Sequence, residues 1–74
     1  MRVRLSVIGA PGGLAQAPPE IELPEGATVA DALALLGVKD PSSMVTLLDG
    51  GPSGPGTPLR HGSLLELMPI VEGG

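Results

Sequence analysis

The chain has no cysteine, tryptophan, tyrosine or phenylalanine. Without thiols, neither a disulfide nor a thiolate metal site can form. A secreted domain this small ordinarily needs such staples, so an intracellular, cytoplasmic home is expected. Without aromatic rings there is nothing to stack on bases. Positive charge is also scarce: Lys and Arg number 4 against 8 Asp and Glu, a net charge of −4. Nucleic acid is therefore not an expected partner, because neutralising phosphates takes clustered cations. A basic protein surface fits better.

Other absences narrow the chemistry. No apolar run approaches the ~18 residues of a membrane span, so no membrane partner is expected. The first residues reach Gly9-Ala10-Pro11-Gly12-Gly13 too soon for a signal peptide. There is no phosphate-binding loop, and residues 9–13 do not fit the dinucleotide fingerprint, so the chain is expected to hold no nucleotide or other cofactor. No metal-binding spacing occurs. His61 stands beside Gly62 with no partner at triad spacing and reads as a surface turn residue. At 74 residues the chain makes one domain at most, and it buries only about 60% of its unfolded surface.

What is present has a clear order. Residues 2–8 alternate, with Val3, Leu5 and Val7 on one face, which predicts a half-buried strand. Residues 9–19 are rich in Gly, Ala and Pro and read as an irregular connection, longer than the usual hairpin loop of about two to five residues. Residues 20–23 give a second strand. Residues 28–37 give the clearest helix: Thr28 caps it, Asp31 follows three residues on, and Val29, Ala32, Leu33 and Leu36 form one stripe. Gly37 suits a left-handed cap, with Val38 folding back on Leu33. Residues 44–49 form a third strand with Val45 and Leu47 on one face. Met44 and Leu48 then fall on the other face, either as part of an exposed patch or packed by a loop.

Residues 50–58 hold four Gly and three Pro and read as a mobile loop. Leu59-Arg60 reads as a short strand and His61-Gly62 as a turn. Residues 63–68 form the last strand, with Leu65 and Leu67 toward the core. The first two strands make a hairpin. The last is placed most simply parallel to the first, with the helix over one face. This is an α+β plan, a β-grasp with a mixed sheet of four to five strands. The domain is expected to span residues 1–69, with a flexible tail over 70–74.

Three stretches carry a family resemblance: Glu25-Gly26-Ala27-Thr28-Val29-Ala30-Asp31-Ala32-Leu33, Leu59-Arg60-His61-Gly62-Ser63-Leu64, and Met68-Pro69-Ile70-Val71-Glu72-Gly73-Gly74. Together with the β-grasp order, they resemble the ThiS and MoaD sulfur-carrier family. The tail is the specific part and is most similar to MoaD-like members. Two departures stand out: Leu67 and Met68 replace a bulky aromatic before Pro69, and Ser63 replaces an acid after Gly62.

The resemblance implies a protein co-substrate rather than an enzyme, or a small non-catalytic subunit of a synthase. An E1-like partner would use ATP to adenylate the Gly74 carboxylate, and a sulfur donor would convert it to a thiocarboxylate. A sulfur-acceptor synthase would then receive the sulfur for molybdopterin, thiamin, cysteine or a related metabolite. The residues suit this role. A carboxylate is a poor electrophile and needs covalent activation. Gly73 and Gly74 lack Cβ atoms and can thread a narrow channel. Met68, Pro69, Ile70, Val71 and Glu72 are the expected partner-binding segment, although Ile70 or Val71 would serve equally to complete the core. The alternative is a ubiquitin-like modifier joined through Gly74 to target lysines. A third reading is an interaction domain with an idle tail.

Overall fold

The computed structural model describes residues 1–9 and 17–70, with Pro69 in its backbone alone. Among the described residues, five strands and one α-helix follow in chain order: β1 (Arg2–Val7), β2 (Glu20–Glu22), α1 (Val29–Leu35), β3 (Met44–Leu48), β4 (Gly51–Ser53) and β5 (Leu64–Pro69). A 3-10 turn, Pro41–Ser43, lies between α1 and β3. The sheet order is β2-β1-β5-β3-β4. β1 and β5 run parallel in the centre, and the other pairs are antiparallel. This is the β-grasp arrangement expected from the strand and helix order.

Alternation fixes the register of the central pair. Leu5 lies opposite Leu65 and Val7 opposite Leu67, so both strands turn their apolar residues to the same face. Val3, Leu65 and Leu67 are completely buried, together with Val29 and Leu33 of the helix. Burying one such side chain is worth about 1.5–3 kcal/mol, so these five dominate a thin core.

The helix is capped at both ends as the sequence predicts. Thr28 Oγ1 accepts from the Asp31 N–H at 3.4 Å, and the Asp31 carboxylate accepts from the Thr28 N–H at 2.8 Å. At the other end Gly37 adopts φ +85°. The Gly37 N–H donates to the Ala34 carbonyl and the Val38 N–H to the Leu33 carbonyl, at 3.1 and 2.9 Å. These paired bonds satisfy carbonyls that a bare helix end leaves free.

Three expectations are corrected. First, β3 sits in the opposite phase from the one that hides Val45. Met44 and Thr46 are buried, Leu48 packs against the core, and Val45 is exposed. Four of the five β3 residues are apolar, so alternation alone leaves the phase undecided. Buried Thr46 is accommodated because its hydroxyl lies 2.8 Å from that of Ser53.

Second, residues 50–58 are not all loop, because Gly51–Ser53 form β4. Asp49 and Gly50 both have positive φ, 52° and 85°. They form the tight turn that sends β4 back along β3. The segment then ties down the helix start: the Val29 and Ala30 N–H groups donate to the carbonyls of Thr57 and Pro55, each at 2.9 Å. Those are two of the donors a helix N-terminus leaves unpaired. Third, Leu59 and Arg60 form no strand. Pro58 makes an isolated bridge with Thr28, and Leu59 is buried.

Candidate functional site: the end of β5 and the open sheet face

β5 is paired with β1 over Leu64–Leu67 and with β3 over Leu65–Pro69. Backbone bonds hold its far end in place. The Ile8 N–H donates to the Leu67 carbonyl, Met44 lies opposite Pro69, and the Ile70 N–H donates to the Ser43 carbonyl at 2.9 Å. Of the expected segment, Met68 is half-buried and Ile70 is 49% exposed. Ile70 therefore does not complete the core. Val71, Glu72, Gly73 and Gly74 lie outside the described residues, and so does the expected tail beyond Ile70.

The helix covers one face of the sheet. Among the described residues no element covers the other face, and Met68 points there because its neighbour Leu67 points inward. Val45 lies directly opposite Met68 and is 43% exposed. Ile8, which follows Val7 in the register of β1, is 46% exposed. Ile8, Val45, Met68 and Ile70 thus gather apolar surface around the end of β5. Ile8 and Val45 were not among the sequence-derived candidates. The signal for Ile8 was its alternation with Val7; for Val45 it was hidden by the unresolved phase of β3.

The other end of the open face is charged. Arg2 Nε donates to Glu22 Oε1 at 2.9 Å and lies 3.4 Å from Glu20 Oε2. The bond to Glu22 holds the Arg2 guanidinium above its ordinary range, and the same bond holds the Glu22 carboxylate below its own. Arg4 donates through Nε and Nη2 to the Gly62 carbonyl at 3.2 and 3.0 Å. His61 Nδ1 accepts from the Arg2 N–H at 3.0 Å, which makes this histidine a turn element. Arg2 and Arg4 are thus spent on their own fold.

Among the described residues no three His, Asp or Glu side chains come together as a metal site. No helix among them is long and apolar enough to cross a membrane. What remains is an acidic domain with an apolar-ended open face and a central strand leading toward Gly73 and Gly74.

A five-stranded mixed sheet grasping one helix defines a small ubiquitin-like, β-grasp protein. The family model described as the ThiS family matches residues 10–74, and the chain belongs to that family. Among solved structures, SAMP1 from Haloferax volcanii is similar over 100% of both chains, with a TM-score of 0.72 and 23% identity. At that identity the likeness shows the fold. A comparison with curated proteins found no match.

Proposed function

We propose that this protein is a sulfur carrier whose working group is the carboxylate of Gly74. The observation that carries the reading is membership of the ThiS family over a match that runs through Gly73 to Gly74. An E1-like enzyme binds ATP, and the Gly74 carboxylate attacks its α-phosphate with loss of pyrophosphate. Hydrosulfide from a sulfur donor then attacks the acyl carbon, AMP leaves, and loss of the S–H proton gives the thiocarboxylate. Splitting the substitution in this way turns a poor electrophile into a good one. The carrier supplies no catalytic group of its own. It acts in the cytoplasm as a protein co-substrate, and its acceptor is a synthase in molybdopterin, thiamin, cysteine or related biosynthesis.

Partner binding falls to residues Met68, Pro69, Ile70, Val71 and Glu72, joined by Val45 and Ile8 on the open face. Exposed apolar surface gathered at one place is what a docking site requires. The net charge of −4 suits a basic partner surface around it. A second reading, a modifier joined through Gly74 to lysines of other proteins, uses the same activated terminus, and the likeness to SAMP1 suits it equally.

Removing Gly74 separates both readings from an idle tail. The truncated protein is expected to fold normally, yet to support neither sulfur transfer nor conjugate formation. Retained function after truncation would mean that the tail does not carry the activity.

A further inference from the structure

We propose that Asp49 is a site of spontaneous backbone isomerisation, where the main chain reroutes through the side chain to give isoaspartate, and that the bonds between Asp49 and Leu64 set its rate. The proposal is independent of the sulfur chemistry. The reaction needs an aspartate carboxyl carbon and an unhindered backbone N–H on the next residue, because the two close a five-membered ring. The aspartates of the sequence are Asp31, Asp40 and Asp49, and it holds no asparagine. The N–H after Asp31 belongs to Ala32 and donates to the Thr28 carbonyl at 3.2 Å. Asp40 precedes Pro41, which has no N–H. Asp49 precedes Gly50. Both are exposed, and the Gly50 N–H makes no hydrogen bond among the described residues. Glycine also has no side chain to shield its nitrogen.

The fold holds this reactive pair in an unreactive shape. Asp49 has φ +52° and Gly50 φ +85°, and Leu48 lies opposite Gly51. Positive φ at both central residues marks the type I′ hairpin turn, in which ψ of the first is near about +30°. That ψ carries the Gly50 nitrogen away from the Asp49 carboxyl group, so the ring can close only after the turn rotates open. Leu64 resists the opening. The Asp49 N–H donates to the Leu64 carbonyl at 2.9 Å, and the Leu64 N–H donates to Asp49 Oδ1 at 2.8 Å. One bond fixes the backbone of Asp49 and the other its carboxylate. Strain acts in the opposite direction. Positive φ is unfavourable for any residue with a Cβ, and among the described residues Asp49 is the one non-glycine held there. Opening the turn relieves that strain.

The chemistry balances without an oxidant or reductant. In the opened turn the Gly50 nitrogen attacks Cγ of Asp49 in its acid form. A C–N bond forms, the Cγ–OH bond breaks, and the hydroxyl leaves with the amide proton as water. The product is a succinimide ring. Water then adds to one ring carbonyl, and the C–N bond at that carbonyl breaks. Opening at Cγ restores aspartate. Opening at the α-carbonyl leaves the chain running through Cγ, as isoaspartate. The main chain is then longer by one methylene. A two-residue turn lengthened in this way no longer presents Oδ1 to the Leu64 N–H at the start of β5.

The test ages the full chain in neutral buffer, folded in one sample and unfolded by guanidinium chloride in another. Isoaspartyl methyltransferase counts the product, and electron-transfer fragmentation locates it. Isoaspartate is expected first at Asp49 in both samples. In the folded one it should form at least about tenfold more slowly, because only the opened fraction reacts. Leu64→Pro removes the N–H that holds the carboxylate, at the first residue of a strand, where proline is best tolerated. With a native circular dichroism spectrum, this variant should lose most of the protection. Asp49→Asn keeps the test alive if Leu64→Pro fails to fold. Asn-Gly suits the same turn, and its ring closes with loss of ammonia, read by mass as deamidation. That deamidation should likewise run more slowly folded than unfolded. Isoaspartate arising first at Asp31 or Asp40, none at Asp49 in the unfolded chain, equal rates folded and unfolded in either protein, or full protection in a folded Leu64→Pro would each overturn the proposal.

Discussion

The backbone N–H of Ile70 donates to the carbonyl oxygen of Ser43 at 2.9 Å. This bond extends the grip of the sheet one residue past β5. The turn before β3 thereby holds the last described residue, and Val45 pairs with Met68 on the neighbouring strands.

That pair gives the first prediction. Val45→Asp should weaken binding to the activating enzyme by about tenfold or more, the loss of about 1.4 kcal/mol of contact. Val45 is already exposed, so the change should cost the fold less than about 1 kcal/mol. Calorimetry of the complex and thermal melting of the free protein check the two halves. An unchanged affinity would remove Val45 from the docking surface.

Gly62 tests the turn that starts β5. It has φ +84°, and a Cβ built there meets no atom within 4 Å. Its N–H donates to the Arg2 carbonyl at 2.8 Å, so the turn cannot easily adopt another shape. Gly62→Ala should therefore cost about 1–2 kcal/mol of backbone strain without any clash. Gly62→Asn should cost less, because asparagine tolerates the left-handed region. Equal melting temperatures for alanine and asparagine would refute the strain account.

The core prediction contrasts two leucines. Leu65 is completely buried and Leu35 is 58% exposed. Leu65→Ala should cost about 2–5 kcal/mol, a large part of the stability available to so small a domain. Leu35→Ala should change stability by no more than about 0.5 kcal/mol. Chemical denaturation of both variants measures the difference.

Two carboxylates set the acid response. Glu22 is lowered by its bond to Arg2, and Asp40 by its bonds from the Ser42 hydroxyl and N–H. A carboxylate lowered in the folded state stabilises that state fully above its ordinary value, here 4.5 for Glu22 and 3.8 for Asp40. The contribution is lost as pH falls through the lower folded values. Melting temperature should therefore decline below these values. Asp40→Asn should flatten part of the decline at any ionic strength, because its donors are uncharged. The Glu22 part should shrink in high salt, being an exposed ion pair. An Asp40→Asn profile parallel to the wild type would contradict the assignment.

Much of this molecule was readable from residue order. Thr28, Asp31 and Gly37 announced both helix ends because their local bonds need no tertiary partner. The phase of β1 followed from its strict alternation around Leu5, and that of β5 from Glu66 standing between Leu65 and Leu67. The phase of β3 did not, since Met44, Val45, Leu47 and Leu48 are all apolar and the informative residue, Thr46, is polar yet buried. β4 was hidden by Gly51 and Pro52. Pro52 is tolerated because β4 is an edge strand, and the Asp49-Gly50 pair was the signal for the turn before it. The Gly73-Gly74 end was legible as sequence. The apolar patch of Val45 and Met68 depended on the phase of β3 and became visible only in the folded sheet.

The most direct test of the central claim is the intact mass of the protein from its native host, followed by fragmentation of the C-terminal peptide. The account predicts that a fraction carries sulfur in place of one carboxylate oxygen, localised to Gly74 and removed by thioacid-selective alkylation. Localisation matters because oxidation of Met1, Met44 or Met68 gives nearly the same mass. A Gly74 carboxylate that stays unmodified while the activating enzyme and a sulfur donor are present would contradict it.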